Sequence, residues 1–470
     1  WTVGMFLGTV AHIRWEYYFA ANIALLAAVF VSWAISFAAN DVKLMIANFA
    51  NRNTSAPAAE KQPASKKGKP AERAAAVKPD GIKIAALVLV LVAAVAFTGI
   101  STVTAVNTAS AYGAAGGTEA DWIKACEWLS ENTPATGIDY YKIYNEDGFK
   151  YPAEAYGVMS WWDYGHYITT IGDRIPNSNP FQAGVAGEYG AAAVLTSVSE
   201  PAVVEKLDHL GTKYVMTDYQ MAGSKFGAMT VWNDTTLQIS PYYTYLLQQG
   251  TTGGYSVVSA ATTQYYNTLT TRLQNFDGSY TKAGNVVLAL TDTSGGYGYP
   301  VITYTKSYPT AAEAWSAADA YNAQTTNTAA GKYAYVVSSP TNITDAFLPN
   351  ADVPALKHFR LVYESDTYIV PMNSYQYYTT GPNGGGTAWV KTFEYVNGAV
   401  INGEGTIAID VTTANGRTFT YRQQSENGQF IVPYATNQKG EVSTGVYRIE
   451  GSGNTFTVSE EAVQNGLSVN

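Results

Sequence analysis

Three consecutive side chains, Trp161, Trp162 and Asp163, form the most suggestive group for chemistry in this sequence. They lie in the run Gly-Val-Met-Ser-Trp-Trp-Asp-Tyr-Gly-His, residues 157–166, which predicts a short strand, a turn and a short helix. Neighbouring side chains of a strand face opposite sides, so a purely structural role would leave one large indole without an obvious place in the core. At a strand end, the two indole N–H groups can instead donate hydrogen bonds while the carboxylate accepts one.

The chemical group that complements two donors and a carboxylate is a hydroxyl, because a hydroxyl both donates and accepts hydrogen bonds. A Ser or Thr side chain would satisfy the site. An Ala or Val would leave the carboxylate desolvated and unpaired, at a cost of about 1–3 kcal/mol. The turn therefore predicts a binding site for an alcohol side chain.

A second pattern, Asp218-x-x-Met221-x-x-x-Lys225-x-x-x-Met229, follows a predicted strand at residues 213–217. Asp218 is placed to cap the next helix, and the spacing of four puts Met221, Lys225 and Met229 on one helical face. The same pattern is typical of a capped amphipathic helix whose methionines pack in the core. On the residues alone, a structural and a binding interpretation both stay open.

The overall composition excludes several classes of protein. The chain has 470 residues, a net charge of −9, one Cys and four His. One Cys cannot form a disulfide framework, and so few Cys and His residues exclude the usual zinc modules, so a metal here would need carboxylate ligands. The acidic balance also argues against a nucleic-acid partner.

Two long apolar stretches indicate a membrane protein. Charged residues make up 14% of the chain, against about 25% in ordinary soluble domains. Residues 17–39 and 84–106 contain no Asp, Glu, Lys or Arg. Each is long enough to cross a hydrocarbon core of about 30 Å as a helix, so we expect two transmembrane helices. The chain does not begin with Met, and we expect it to be the C-terminal portion of a longer protein.

The loop between the two stretches sets the expected orientation. Residues 40–81 carry eight Lys or Arg against four acidic residues. Short basic loops stay in the cytoplasm, which places residues 1–16 and everything after residue 106 on the outer side. The prediction is a multi-pass protein of the cell membrane with a large extracytoplasmic C-terminal part.

The residue pattern of the outer part changes along its length. After a Gly-rich linker at 107–117, helices and short strands alternate, which predicts an α/β core over residues 107–235. A mixed α/β insertion follows at 236–385, with helices expected near 262–275 and 310–323. Residues 386–470 predict a β-rich domain, because four Asn-Gly dipeptides there favour tight hairpin turns. These dipeptides are Asn397-Gly398, Asn402-Gly403, Asn415-Gly416 and Asn427-Gly428. The predicted class is a membrane-anchored α+β protein.

The pentapeptide Trp161-Trp162-Asp163-Tyr164-Gly165 resembles the signature of the oligosaccharyltransferase catalytic subunit, and its flanks are similar to the archaeal single-subunit type. That family transfers a glycan from a dolichyl phosphate carrier to Asn in Asn-x-Ser/Thr. The resemblance implies that the pentapeptide recognises the Ser or Thr of the acceptor sequence. The motif at 218–229 is similar to the family's second recognition motif.

The resemblance also implies roles for individual residues. Met221 would touch the γ-methyl of an acceptor Thr, and one buried methyl, worth about 0.8 kcal/mol, suits a preference for Thr over Ser. Lys225 belongs to the same acceptor-binding set as Met221 and the Trp-Trp-Asp turn. Arg14 would contact the carrier phosphate, because a guanidinium matches phosphate oxygens in pairs. An interfacial Arg14 paired with Glu16 or lipid headgroups stays an equal alternative.

A divalent cation, Mn²⁺ or Mg²⁺, is implied for the family, held by carboxylates on outer loops of earlier membrane helices that this chain lacks. We therefore assign this chain no catalytic carboxylate and no metal ligand. The expected partners are an acceptor polypeptide, the dolichyl phosphate-linked oligosaccharide and the lipid bilayer, and the expected enzyme is a monomer. Composition alone leaves a competing interpretation, a non-enzymatic, membrane-anchored, β-rich cell-surface or adhesion protein.

Overall fold

A computed structural model of the chain describes two compact units, residues 1–114 and 115–470. The described ranges are 1–11, 15–53, 78–114, 119–145, 147–234, 236, 241–284, 286–338, 347–372, 375–382 and 386–469. Arg14 lies outside the described residues.

The first unit is built from helices. They are α1 Thr2–Ala11, α2 Glu16–Asn53 and α3 Gly81–Ala114. The stretches Glu16–Ala50 and Gly81–Ser110 are long and apolar enough to cross a membrane, and they contain the two predicted spans. Their side chains are mostly exposed, with no more than 11% of either apolar window buried. The two predicted apolar helices are confirmed.

Both long helices extend further than the sequence predicts. Helix α2 continues to Asn53, into the predicted loop, and α3 continues to Ala114, through most of the predicted linker. Each hydrogen bond added to an existing helix costs little, so good helix formers such as Lys43 and Leu44 prolong it until a breaker intervenes. Beyond the predicted spans, Asp41 accepts a hydrogen bond from the Asp80 backbone N–H at 2.8 Å. The Lys83 ammonium lies 3.6 Å from the same carboxylate, which joins α2 to α3.

The second unit alternates helices and strands before it becomes mostly strands. Its helices are α4 Glu119–Asn132, α5 Gly165–Thr170, α6 Ala191–Leu195, α7 Glu200–Leu210, α8 Tyr219–Ala222, α9 Phe226–Asn233, α10 Thr263–Asn267, α11 Leu269–Phe276, α12 Ala311–Asn322, α13 Thr325–Ala329 and α14 Glu460–Asn465. Its first strands are β1 Gly157–Met159, β2 Ile175–Pro176, β3 Thr212–Asp218, β4 Tyr243–Gln249, β5 Tyr255–Ala261, β6 Val286–Asp292, β7 Val301–Tyr308 and β8 Lys332–Val337. The later strands are β9 Phe359–Glu364, β10 Thr367–Met372, β11 Tyr375–Thr380, β12 Thr387–Ala388, β13 Val390–Tyr395, β14 Ala399–Asn402, β15 Thr406–Thr413, β16 Thr418–Gln424, β17 Gln429–Val432, β18 Val442–Thr444, β19 Tyr447–Ile449, β20 Thr455–Phe456 and β21 Ser468–Val469.

The central sheet combines strands from distant parts of the chain. Its order is β2-β1-β3-β13-β9, with β1 parallel to β2 and β3 and with β13 antiparallel to its neighbours. Strands β9 and β13 lie in the ranges predicted for the insertion and the C-terminal domain, yet they complete the sheet of the core. Val390 of β13 pairs with Asp218 at the end of β3. The position of Asp218 therefore depends on a strand far along the chain.

Two further sheets dominate the rest of the second unit. One has the order β5-β4-β7-β6-β8 and packs against α12. The other has the order β16-β15-β19-β20, with β18 also paired to β15. Helix α12 agrees with the prediction for 310–323, because Thr310 caps it by accepting from the Glu313 backbone N–H. The single helix expected near 262–275 is instead two, because Thr268 is extended and caps α11.

The four Asn-Gly dipeptides behave in two ways. Asn415-Gly416 closes the β15–β16 hairpin. The other three dipeptides join strands of different sheets, so the expectation of hairpins there is wrong, although Asn427-Gly428, with φ of 53° and 75°, still makes a tight turn bridged by Glu426 and Gln429. The dipeptide favours a local bend, whereas burial of the flanking apolar residues decides which strand becomes the partner.

Candidate functional site

The Trp-Trp-Asp segment has the predicted order of a strand, a turn and a helix. Strand β1 ends at Met159, Trp161 is extended, and a 3-10 helix over Trp162–Tyr164 runs directly into α5. We call residues 161–164 the recognition turn. Gly165 allows the close approach of another segment, because an added Cβ would lie 2.3 Å from the Ser178 carbonyl oxygen.

Both indoles of the recognition turn pack against one core. Trp161 is 2% exposed, and Trp162 is partly buried against the same cluster, with the two ring centroids 6.2 Å apart. The expectation that one indole would have no place in the core is therefore wrong. The two residues lie beyond the strand end, where the backbone turns, so strand alternation does not apply to them. Among the described residues, the buried Trp162 Nε1 has no hydrogen-bond partner.

Asp163 is the accessible member of the recognition turn. Its side chain is 28% exposed, and its Oδ2 lies 2.6 Å from the Lys225 ammonium, which is 24% exposed. Lys225 also donates to the Tyr164 hydroxyl at 2.8 Å. A carboxylate offers about four acceptor positions, so the ion pair with Lys225 leaves Asp163 able to accept a further hydrogen bond from a ligand.

Asp218 lies behind the turn and is fully buried. It caps α8 by accepting from the Met221 backbone N–H at 2.7 Å, as the sequence predicts. Its Oδ2 also accepts from the Trp122 indole N–H at 2.9 Å and from the Tyr164 hydroxyl. Burial raises the pKa of the Asp218 carboxyl, and the hydrogen bonds from Tyr164, Trp122 and Met221 oppose that rise. Burial and the neighbouring Asp218 carboxylate raise the pKa of Tyr164, so its hydroxyl keeps its proton.

The second motif does not form one helix. Helix α8 ends at Ala222 and α9 begins at Phe226, because the chain turns through Gly223, whose φ of −121° and ψ of −104° are not helical. The prediction that Met221 and Lys225 share a face of one helix is therefore wrong. The turn carries Lys225 out to Asp163 and leaves Met221 in the core.

Met221 itself is 0% exposed, and its sulfur accepts a weak hydrogen bond from the Ser160 hydroxyl at 3.8 Å. In this conformation no part of Met221 is available to an acceptor Thr. A contact with the γ-methyl would require the core to open at this point. The structure thus brings Asp163 and Lys225 together at an accessible position, while Trp161 and Met221 form the buried wall behind them.

Trp122 makes a polar contact that the sequence does not predict. The indole ring of Trp122 stacks on Tyr164 with ring centroids 3.7 Å apart, and its N–H reaches Asp218, 96 positions away in the sequence. Trp122 lies on the buried face of α4, and no local pattern signals the distant carboxylate that it meets.

A divalent cation does not fit the second unit as described. No group of three or more His, Cys, Asp or Glu side chains that could hold a metal ion occurs within the described ranges. We therefore derive no chemical step through a metal from these residues.

Two regions of the chain match family models of known proteins. Residues 119–222, which contain the recognition turn and Asp218, match a family model described as the AglB core domain. Residues 393–469 match the archaeal glycosylation protein B long peripheral domain. Two regions of the chain are thus similar to domains of AglB. The resemblance to archaeal oligosaccharyltransferases is confirmed.

A similar AglB protein is the dolichyl-monophosphooligosaccharide–protein glycotransferase AglB of Haloferax volcanii, which is 33% identical over 371 residues. The match covers 68% of this chain and 34% of the relative. The chain thus spans about a third of the length of that curated relative.

Solved structures of an Archaeoglobus fulgidus oligosaccharyltransferase share the fold. One, tethered to an acceptor peptide with the NVT sequon, has a TM-score of 0.54 at 23% identity, covering 100% of this chain and 53% of that chain. Another, in complex with Zn and sulfate, has a TM-score of 0.52 at 23% identity, covering 100% of this chain and 55% of that chain.

Proposed function

We propose that the complete protein is a dolichyl-phosphooligosaccharide–protein glycosyltransferase, and that residues 115–470 bind the Ser or Thr of the acceptor Asn-x-Ser/Thr sequence. The observation that supports this most is the partly exposed Asp163 carboxylate, paired with Lys225 at one side and able to accept a further hydrogen bond. The names of the AglB relatives support the same activity. The alternative of a non-enzymatic adhesion protein is not favoured, because the recognition turn lies within the AglB core match.

The chemistry of the site follows from Asp163. An acceptor hydroxyl donates to the carboxylate, and the ion pair with Lys225 orients that carboxylate. A Val or Ala at the same acceptor position would displace water from Asp163 without replacing its hydrogen bond. A site built to hydrogen-bond a hydroxyl discriminates strongly against an analogue that lacks it.

The first unit supports a membrane location. Helices α2 and α3 supply the two candidate spans, and the basic residues between them support a cytoplasmic loop over residues 40–81. We infer an extracytoplasmic second unit and a contact between Arg14 and the carrier phosphate. We also propose that the enzyme is a monomer. We propose that the part after the second span divides into domains at residues 107–235, 236–385 and 386–470.

We propose that the complete enzyme uses a divalent cation, Mn²⁺ or Mg²⁺, held by residues outside the second unit. One similar structure is a complex with Zn and sulfate. When bound, such an ion stabilises the developing charge on the leaving phosphate. The residues of the second unit bind and orient the acceptor peptide.

The test is Asp163→Ala in the complete membrane-embedded enzyme, assayed for glycan transfer to an Asn-x-Thr peptide. We expect transfer to be lost, because the acceptor hydroxyl has no carboxylate to meet. The matched control is Asp319→Ala, which removes an exposed carboxylate on α12 and should leave transfer unchanged. Full transfer by the Asp163 variant would disprove the proposed function.

A further inference from the structure

A chain of hydrogen bonds connects helix α4 to the exposed carboxylate of the recognition turn. The Trp122 indole donates to Asp218, the Tyr164 hydroxyl donates to Asp218, and Lys225 donates to Tyr164 while it pairs with Asp163. We propose that Trp122 is a positioning residue for acceptor binding, which satisfies Asp218 so that the Lys225 ammonium stays on Asp163. This inference rests on the proposed function and extends it to a residue that does not touch the acceptor.

The chemical groups determine which partner donates in each of these hydrogen bonds. An ammonium only donates and an ionised carboxylate only accepts, whereas a phenol does both. Tyr164 must therefore accept from Lys225 and donate to Asp218. Its hydroxyl has one proton, so it cannot serve both carboxylates. Any change in what Asp218 receives is transmitted through Tyr164 to Lys225.

The balance of charge explains why Asp218 needs Trp122. Two carboxylates, Asp163 and Asp218, lie beside a single ammonium, that of Lys225. Asp218 is entirely buried and receives three neutral donors, from Trp122, Tyr164 and the Met221 backbone. A buried carboxylate that loses a donor attracts the nearest cation more strongly.

Without the indole N–H, the ammonium of Lys225 would therefore shift along Tyr164 towards Asp218. Asp163 would then lose the partner that orients its carboxylate. Because the ring of Trp122 also stacks on Tyr164, with an angle of 12° between the two planes, the same residue fixes the aromatic ring that carries the linking hydroxyl. Trp122 therefore contacts both groups that link α4 to Lys225, the Asp218 carboxylate and the Tyr164 ring.

Another tryptophan of helix α4 provides a matched control. Trp128 also lies on α4 and stacks on an aromatic ring, that of Tyr363, with centroids 5.1 Å apart. Its indole N–H, unlike that of Trp122, is buried without a partner among the described residues. Trp122→Phe and Trp128→Phe thus make the same chemical change on one helix, and only the first removes a hydrogen bond to a carboxylate.

The experiment measures KM and kcat for an Asn-x-Thr peptide in the complete enzyme. We expect Trp122→Phe to raise KM about ten-fold, the effect of one lost hydrogen bond to a charged group, with kcat within about two-fold. Trp128→Phe should leave both constants unchanged. Equal KM values for the two variants would overturn the inference.

Tyr164→Phe removes one oxygen atom and so breaks the series of hydrogen bonds at its middle. This variant tests the inference if Trp122→Phe does not fold. We expect a similar rise in KM, and the double variant should be no worse than the more damaged single variant, because both changes break one path. Fully additive effects would overturn the inference.

Failure of the inference is distinguishable from failure of the proposed function. Transfer by the wild type together with its loss in Asp163→Ala supports the function whatever Trp122 does. A wild type that transfers no glycan would overturn both.

Discussion

The second unit contains two groups of charged side chains that differ in how completely their carboxylates are paired. In the buried cluster, Asp277 receives Lys391 at 2.7 Å and both terminal nitrogens of Arg417 at 2.7 and 2.8 Å. Arg417 also pairs with Glu364 at 2.6 Å. In the recognition turn, Lys225 is the only ion-pair partner of Asp163 within the described ranges, and Asp163 stays 28% exposed.

This difference is the one expected between a structural group and the binding group that we propose. The buried cluster joins the end of α11, through Asp277, to β9, β13 and the β15–β16 turn, and its oxygen atoms are shared among several donors. Desolvated charges are tolerated only when they are paired in this way. Asp163 instead keeps acceptor capacity, at little cost, because water can still reach it. The incompletely paired carboxylate is the one that we propose binds a ligand.

The largest expected effect comes from opening the buried cluster. Arg417→Met would leave Asp277 and Glu364 without their shared partner. We expect the free energy of unfolding to fall by about 3–5 kcal/mol. Denaturant unfolding of the detergent-solubilised chain measures it. The control, Arg448→Met, breaks an exposed pair with Asp410 and should cost no more than about 1 kcal/mol. Equal losses would remove the distinction between the two kinds of pair.

The pH dependence of stability is the next effect. Burial alone would raise the pKa of Asp277, but Arg417 and Lys391 hold it well below the usual range. A carboxyl whose pKa is depressed by folding stabilises the native state above about pH 4 and loses that contribution as the pH falls. Asp277→Asn should therefore lower stability at pH 7 and flatten its decline between about pH 4 and pH 2. An undiminished acid slope in this variant would assign the dependence to other carboxyls.

The smallest effect on stability is expected at the recognition turn. Lys225→Met leaves Asp163 hydrated, so the unfolding free energy should change by no more than about 1 kcal/mol. Acceptor binding should nevertheless weaken, with KM for an Asn-x-Thr peptide rising about ten-fold. Lys124→Met, which breaks the exposed pair with Asp366, is the control for both measurements. A stability loss as large as that of Arg417→Met would contradict the comparison.

The membrane-proximal part was largely predictable from sequence. The two spans follow from uninterrupted apolar composition, which is a local property, and both were found within α2 and α3. The ends of the helices were not predictable, because helix formation continues cooperatively through polar and charged residues such as those after Ala39. The Asn-Gly dipeptides show the same division, since they mark bends but not the sheets that the flanking strands join.

The candidate site was predictable only in part. The cap at Asp218 is a contact between neighbours in sequence and was predicted correctly. The split between α8 and α9 was not, because a spacing of four is compatible with one helix or with two separated by a turn. That turn decides that Lys225 reaches Asp163 while Met221 stays in the core.

By itself, the sequence determined the apolar spans, the strand-turn-helix around Trp161 and the kinds of side chain available to bind a hydroxyl, because each depends on residues close together in the chain. Only the tertiary structure decided which of those side chains remain accessible and that Trp122 meets Asp218. Contacts between segments about a hundred residues apart follow from how sheets and helices pack, and no local pattern encodes that packing.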